Sequence, residues 1–455
     1  MAVKRSPSRA FLARLKGELA EWSKDGLLTP EQAGRIGERY DLDSLGERVS
    51  SSKIISAISV IGALLFGAGV ILLIASNWQL IPRSMKLGVV FLTILAVNQI
   101  GYTLKYDRGY PKLGAALLFL GALLFGGGIW LVAQIYNISS RDKNGLLYWA
   151  LGILPVAWLL GMETVLTLAS GLLSSWAVWK CAYFGYPNYP YLALMGLFVL
   201  PLCYKKRSAG ALLVSLIGIA VWLGFGPFAW YLGRSEDVLP LMVFPYFLFG
   251  LLLYALGLLH SCFPARARFR QAFVVLGSLI LFGATYGMSF EDAASELAKA
   301  LGRHIPEAFW WSLAVLSALY LLSFAATFSL AQKRETPKGR ALVGELLFTL
   351  IFLATGGMLF LGLNSFVSTG LISNAMMLAL AVALIALGYG QQEPSMVNLG
   401  FALFSLQFFT RYVDWGWNYL PRSAFFIVSG IVLLAGAFSM EKQRKKIIRT
   451  IREKA

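Results

Sequence analysis

The sequence predicts an all-α fold: a polytopic transmembrane helix bundle of about fourteen spans, preceded by a small N-terminal cytoplasmic helical hairpin. Three observations carry that expectation. Hydrophobic residues make up 58% of the 455 positions and charged ones 14%, whereas soluble chains hold about 45 to 50% apolar residues. Apolar stretches approaching the roughly 20 residues needed to cross a hydrocarbon core recur along the chain, and short loops between them hold most of the charge. Basic residues also cluster at every second boundary, the pattern expected where Lys and Arg collect on the cytoplasmic side.

The first element is the hairpin, assigned to residues 1–52. Phe11, Leu12, Leu15, Leu19 and Trp22 fall at three- and four-residue spacing, which places them on one helical face. Gly26 suits the left-handed residue beyond a helix end. Thr29, Pro30, Glu31 and Gln32 supply a cap, a first-turn proline and a capping-box partner for a second helix, closed by Ile36 and Tyr40. Two uses are open to it: packing on the cytoplasmic membrane face, or docking a protein partner through residues 1–48. The first 53 residues are charged and lack an apolar core, so no cleavable signal peptide is expected there.

The spans follow at residues 54–76, 85–104, 113–135, 145–160, 165–183, 189–204, 209–230, 240–260, 272–289, 306–330, 342–363, 373–390, 396–410 and 423–439. Two of them, 145–160 and 396–410, are short, which leaves thirteen open. Residues 53–160 read as a duplicated pair of helices, 161–440 as the remaining bundle, and 441–455 as a basic tail. With the amino terminus inside, 30 of the 40 Lys and Arg fall on the cytoplasmic side, so both ends are expected in the cytoplasm and the net charge of +17 reads as topology and contact with anionic membrane lipids. Nucleic acid is not an expected partner. Cys181, Cys203 and Cys262 are scattered, and His260 and His304 have no second ligand at helical spacing; neither a disulfide framework, nor a zinc site, nor any cofactor is expected.

A repeat stands out within the glycine-rich spans. GALLFGAGVILLIASNW, residues 62–78, returns 59 positions later as GALLFGGGIWLVAQIYN, residues 121–137, with eight identities in seventeen. The charge pattern runs both copies in the same direction. Inverted repeats mark many secondary transporters, and a parallel pair does not supply that sign. Gly62, Gly69 and Ser76 recur every seven residues, as do Gly114, Gly121 and Gly128; small residues in register let helix backbones approach closely in lipid, so the stripe reads first as a packing seam.

Together with Trp22, the GLLTPEQ turn of residues 26–32, Tyr40, Asn77-Trp78 and Gln134-Ile135-Tyr136, these spans resemble the bacterial membrane-protein family known as domain of unknown function 2157, over about residues 10–180. The resemblance implies a multi-pass protein of the bacterial cytoplasmic (inner) membrane and brings no activity with it. Relatives often read QIYH before a Gly-Asp turn, where this chain has Asn137 and then SSRD.

Polar residues inside spans point to function by default, and here they are few: Asn98, Gln99, Gln134, Glu345 and Gln407. Glu345 is expected to snorkel or to pair with Arg340. The densest polar set, Asn77, Trp78, Gln134, Tyr136 and Asn137, closes the two copies at the outer face. It has two readings: a shallow ligand-binding site for a headgroup or glycan, or plain interfacial aromatics and end-capping amides. Trp149, Trp176, Trp179, Trp310 and Trp311 are among those expected in an outer aromatic belt. The outer segment 289–306 reads as an amphipathic helix with Phe290, Leu297 and Leu301 towards lipid. No nucleophile, base or metal set is apparent, so no catalytic residue is assigned and an enzyme is not favoured. Two functions remain: handling or transporting an amphipathic envelope molecule near the outer leaflet, or a non-transporting scaffold or sensor that recruits a partner through the hairpin.

Overall fold

The computed structural model describes residues 25–39, 82–138, 144–229, 240–303, 305–332, 337–360 and 366–419, with isolated positions elsewhere. The expected spans 54–76 and 423–439, the first copy of the repeat with Asn77 and Trp78, and His304 lie outside the described residues. Two compact units are distinguished, Met1–Val89 and Val90–Ala455.

In the first unit, helix α1 (Pro30–Arg39) starts as its sequence requires. Thr29 Oγ1 accepts from the Gln32 backbone N–H at 3.3 Å, and Gln32 Oε1 accepts from the Thr29 N–H at 3.0 Å. This reciprocal capping box satisfies two donors that the first helical turn leaves open, worth about 1 kcal/mol. Gly26, at φ +72°, takes the left-handed conformation, and Leu27 and Leu28 return hydrogen bonds to the Trp22 carbonyl.

Helix α2 (Arg83–Tyr106) carries the unit boundary and is followed by α3 (Pro111–Ile135), α4 (Gly145–Leu160) and α5 (Glu163–Phe184). Next comes a broken segment in which α6 (Pro190–Leu194) passes through one π turn, Met195–Val199, into α7 (Leu200–Lys206). The break has a local cause: Pro201 has no N–H and its ring collides with the carbonyl four residues back, so the helix widens. The Phe198 carbonyl in that π turn accepts Trp158 Nε1–H at 3.1 Å. The remainder is α8 (Ala209–Phe225), α9 (Val243–Ser261), α10 (Arg270–Met288), α11 (Glu291–Leu301), α12 (Glu307–Gln332), α13 (Pro337–Phe360), α14 (Phe366–Gly390) and α15 (Pro394–Tyr419). No strand occurs among the described residues.

Among the described residues, eight helices are long and apolar enough to cross a membrane, in α2, α3, α5, α9, α10, α12, α13 and α14, and α4 and α8 are shorter apolar helices. Two sequence expectations are corrected. The stretch 396–410 is part of a 26-residue helix, α15, in which Arg411, just past the expected end, is buried, pairs with Asp414 one turn on and reaches Ser289 at the end of α10. The amphipathic face of α11 turns inward: Ala294, Leu297 and Ala300 are buried against the bundle, not presented to lipid.

Helix α9 is the centre of the second unit, with 14 of its 19 residues buried. Lipid removes the hydrophobic drive between helices, so close backbone approach must replace it. Glycine provides that approach where α9 crosses α10: a Cβ at Gly277 would meet the Gly250 carbonyl and the Tyr254 nitrogen at 2.8 Å. Buried hydroxyls add interhelical links, Ser170 to Ser215 at 2.8 Å and Ser174 to Tyr191 at 3.0 Å. His260 is held by its own helix and a neighbour: Nδ1–H donates to the Leu256 carbonyl at 2.6 Å, which leaves Nε2 to accept from the Tyr204 hydroxyl at 2.9 Å.

Candidate functional site: a groove between α2, α3 and α4

The glycine stripe of α3 is the packing seam that its seven-residue spacing predicts. A Cβ at Gly114 would lie 2.5 Å from the Lys105 nitrogen, and one at Gly121 would lie 2.5 Å from the Asn98 amide. Asn98, polar in mid-helix, returns its Nδ2–H to the Ile94 carbonyl at 2.8 Å. At Gly128 the nearest atoms of Val90 and Ile94 stand back to 3.1 Å. The two helices are tighter at Gly114 and Gly121 than at Gly128. A second pair of contacts fixes α4 on the other flank: the Trp149 indole lies over the bare backbone of Gly126 and donates Nε1–H to the Ala122 carbonyl at 2.8 Å, and Phe125 fills the space above Gly152.

At Gly128, between α2, α3 and α4, lies a cavity of about 940 Å³. Its walls are apolar, with Val90, Phe91 and Ile94 from α2 and Ile129 and Val132 from α3, and Trp130 and Tyr148 add aromatic surface. Gln134 and Asn137 line one end of it. The volume and the ratio of apolar wall to polar end are those of sites for ligands of drug or lipid size.

Of the five residues singled out from sequence, Gln134 and Asn137 therefore line the cavity, Tyr136 is half exposed and is not among its lining residues, and Asn77 and Trp78 lie outside the described residues. Asn137 has a conformational task as well. It closes α3 in the left-handed region at φ +50°, while Ile138 N–H returns to the Ala133 carbonyl at 2.9 Å and Asn137 N–H to the Gln134 carbonyl at 3.3 Å, the paired bonds of a Schellman end. Trp130 and Tyr148 are the residues that sequence reasoning missed. An aromatic inside a span carries no signal of which face it presents until the neighbouring helix is placed. Two tryptophans assigned to an outer belt have interior tasks instead: Trp149 in the α3–α4 seam, and Trp176, which is buried and donates to Asn144 Oδ1 at 3.1 Å. Trp310 and Trp311 are exposed.

A second polar feature lies apart from the groove. Glu345 on α13 is fully buried and meets Arg270, the first residue of α10, at 3.2 Å. Arg270 also holds Glu393 at 2.9 Å, and Gln391 donates to Glu345 Oε1. The turn between α14 and α15 presents both partners by placing Gln392 in the left-handed region at φ +60°. The expectation that Glu345 snorkels or pairs with Arg340 is thus corrected: its partner is Arg270, a residue that sequence reading left in a loop at the membrane surface. Only one side chain bears two carboxylates, so the cluster ties α10, α13 and the α14–α15 turn together.

The eight long apolar helices among the described residues define a multi-pass membrane protein. Residues 20–166, which hold α1 to α4 and the groove, match the model of the family described as predicted membrane protein, domain of unknown function 2157. No curated protein and no solved structure matches the chain.

Proposed function

We propose that this protein handles or transports an amphipathic envelope molecule, held with its apolar part along α2 and α3 and its polar part at Gln134 and Asn137. The observation that carries this reading is the cavity of about 940 Å³ with apolar walls and amides at one end. The surrounding architecture belongs to the same proposal: about fourteen spans in a bacterial inner membrane, a parallel duplication over residues 53–160, and both termini cytoplasmic. The division of basic residues between alternate loops supports that orientation, under which Gln134 and Asn137 would lie towards the outer leaflet.

The test is co-purification in native nanodiscs followed by mass spectrometry of the intact protein. Ala133→Phe fills the groove, and Gln134→Leu with Asn137→Gly removes the amides while keeping the left-handed turn. A retained amphiphile should be lost from the first variant and weakened about tenfold in the second, as expected for two hydrogen bonds. An unchanged lipid profile in both would remove the handling reading.

One observation favours a second reading, recruitment of a cytoplasmic partner through residues 1–48: no residue of α1 is buried. Deletion of residues 1–48 should then abolish complex formation and leave lipid retention unchanged.

A further inference from the structure

We propose a second lipid site, separate from the groove, in which Arg411, Gln407 and Asn374 bind the headgroup of an anionic, hydroxyl-bearing lipid of the phosphatidylglycerol type. The three residues line a cavity of about 490 Å³ formed by α14 and α15. Arg411 is 8% exposed and Gln407 is 9% exposed, and each leaves one polar group unmet.

The hydrogen-bond accounting defines the ligand. Arg411 gives Nη1–H to Asp414 Oδ2 at 2.9 Å and Nη2–H to Ser289 Oγ, and its guanidinium lies 4.3 Å from the Phe290 ring centre. Its Nε–H has no partner. Gln407 gives its amide N–H to the Asn374 carbonyl at 2.9 Å, and Asn374 gives its own to the Gly370 carbonyl at 2.8 Å. The side-chain oxygens of both are without partners. Groups buried in this way cost free energy unless something completes them. What completes these three is one strong acceptor for the Arg411 Nε–H and two donors for the amide oxygens. A phosphate ester carrying free hydroxyls supplies both.

The wall and the depth identify the source as a lipid. Leu371, Leu378 and Phe408 line the cavity and are 64%, 44% and 50% exposed, an apolar surface on which an acyl chain can lie. Ser289, which Arg411 contacts, is the cap of α10, so the guanidinium sits where helices end and headgroups begin. Asp414 offsets part of the arginine charge, which leaves donor and acceptor geometry, and not charge alone, to select the headgroup. Phosphatidylcholine has no donor for the amides, and the ammonium of phosphatidylethanolamine would bring a second positive charge into the cavity that Arg411 lines.

Delipidated full-length protein is titrated with phosphatidylglycerol, phosphatidylcholine or phosphatidylethanolamine and read by native mass spectrometry. Wild type should hold phosphatidylglycerol about tenfold more tightly than either of the others, and Asn374→Leu with Gln407→Leu should remove that preference. Equal retention of the three lipids by wild type overturns the proposal without any variant, as does a preference that survives in the double variant when its melting shows it folded. Displacement by soluble glycerol phosphate at the same concentration as the lipid overturns the lipid assignment.

Discussion

Arg270 and Glu345, 75 positions apart, meet at 3.2 Å with side chains only 7% and 0% exposed. Removing one member of a buried pair strands the other, which costs about 3 to 5 kcal/mol. The two members are not equivalent, because Glu393, 36% exposed, also reaches Arg270 at 2.9 Å. Arg270→Met, which leaves a buried carboxylate with the Gln391 amide but no cation, should therefore lower the melting temperature more than Glu345→Gln, which leaves Arg270 with Glu393. Arg270→Met combined with Glu345→Leu and Glu393→Gln should recover most of the loss. The reverse order for the single variants would show that Glu345 does not depend on Arg270.

The α2–α3 seam predicts a contrast between neighbouring glycines. A Cβ at Gly121 enters the space of Asn98, whereas at Gly127 nothing lies within 4 Å. Gly121→Leu should destabilise by about 1 to 3 kcal/mol, the usual range for overpacking, and Gly127→Leu should be close to neutral. Thermal unfolding of both variants in the same nanodisc preparation measures the difference.

Asn137 should tolerate glycine and reject a β-branched residue. Its φ of +50° lies in the left-handed region, where a Cβ crowds the following carbonyl at about 1 to 2 kcal/mol. Asn137→Gly should therefore melt within error of wild type and Asn137→Val clearly below it. Gln392, at φ +60°, should behave alike, with Gln392→Gly no less stable than the parent.

The hydroxyl link between Ser174 and Tyr191 should contribute modestly. Interhelical hydrogen bonds in membranes average about 0.6 kcal/mol by double-mutant cycle. A cycle through Ser174→Ala and Tyr191→Phe should return a coupling of about that size. A coupling of zero would assign both side chains to packing alone.

Which of these features the sequence made legible follows from the range of the interaction that creates them. The capping box at Thr29 and Gln32 is complete within four residues, and the heptad glycines 114, 121 and 128 define one face of one helix; both are readable in order along the chain. Gln134 and Asn137 could be chosen as site residues because span ends concentrate polar side chains. Tyr136, between them in sequence, is the cap that follows α3; it is half exposed and does not line the groove.

By itself, then, the sequence determined a membrane protein built of helices, where most of those helices begin and end, and which face of α3 would be a seam, because hydropathy, capping and periodicity act locally. Tertiary structure alone decided that a groove lies at the Gly128 end of the seam, that Trp130 and Tyr148 line it, and that Arg270 and Arg411, which fall between the spans read from sequence, are buried. Each has a partner from a distant segment, Glu345 for Arg270 and Ser289 for Arg411, and Arg411 adds Asp414 from its own helix. A charge becomes an interior residue only when packing brings it a partner from a distant segment, and that pairing is a property of how the helices assemble, not of any stretch of sequence.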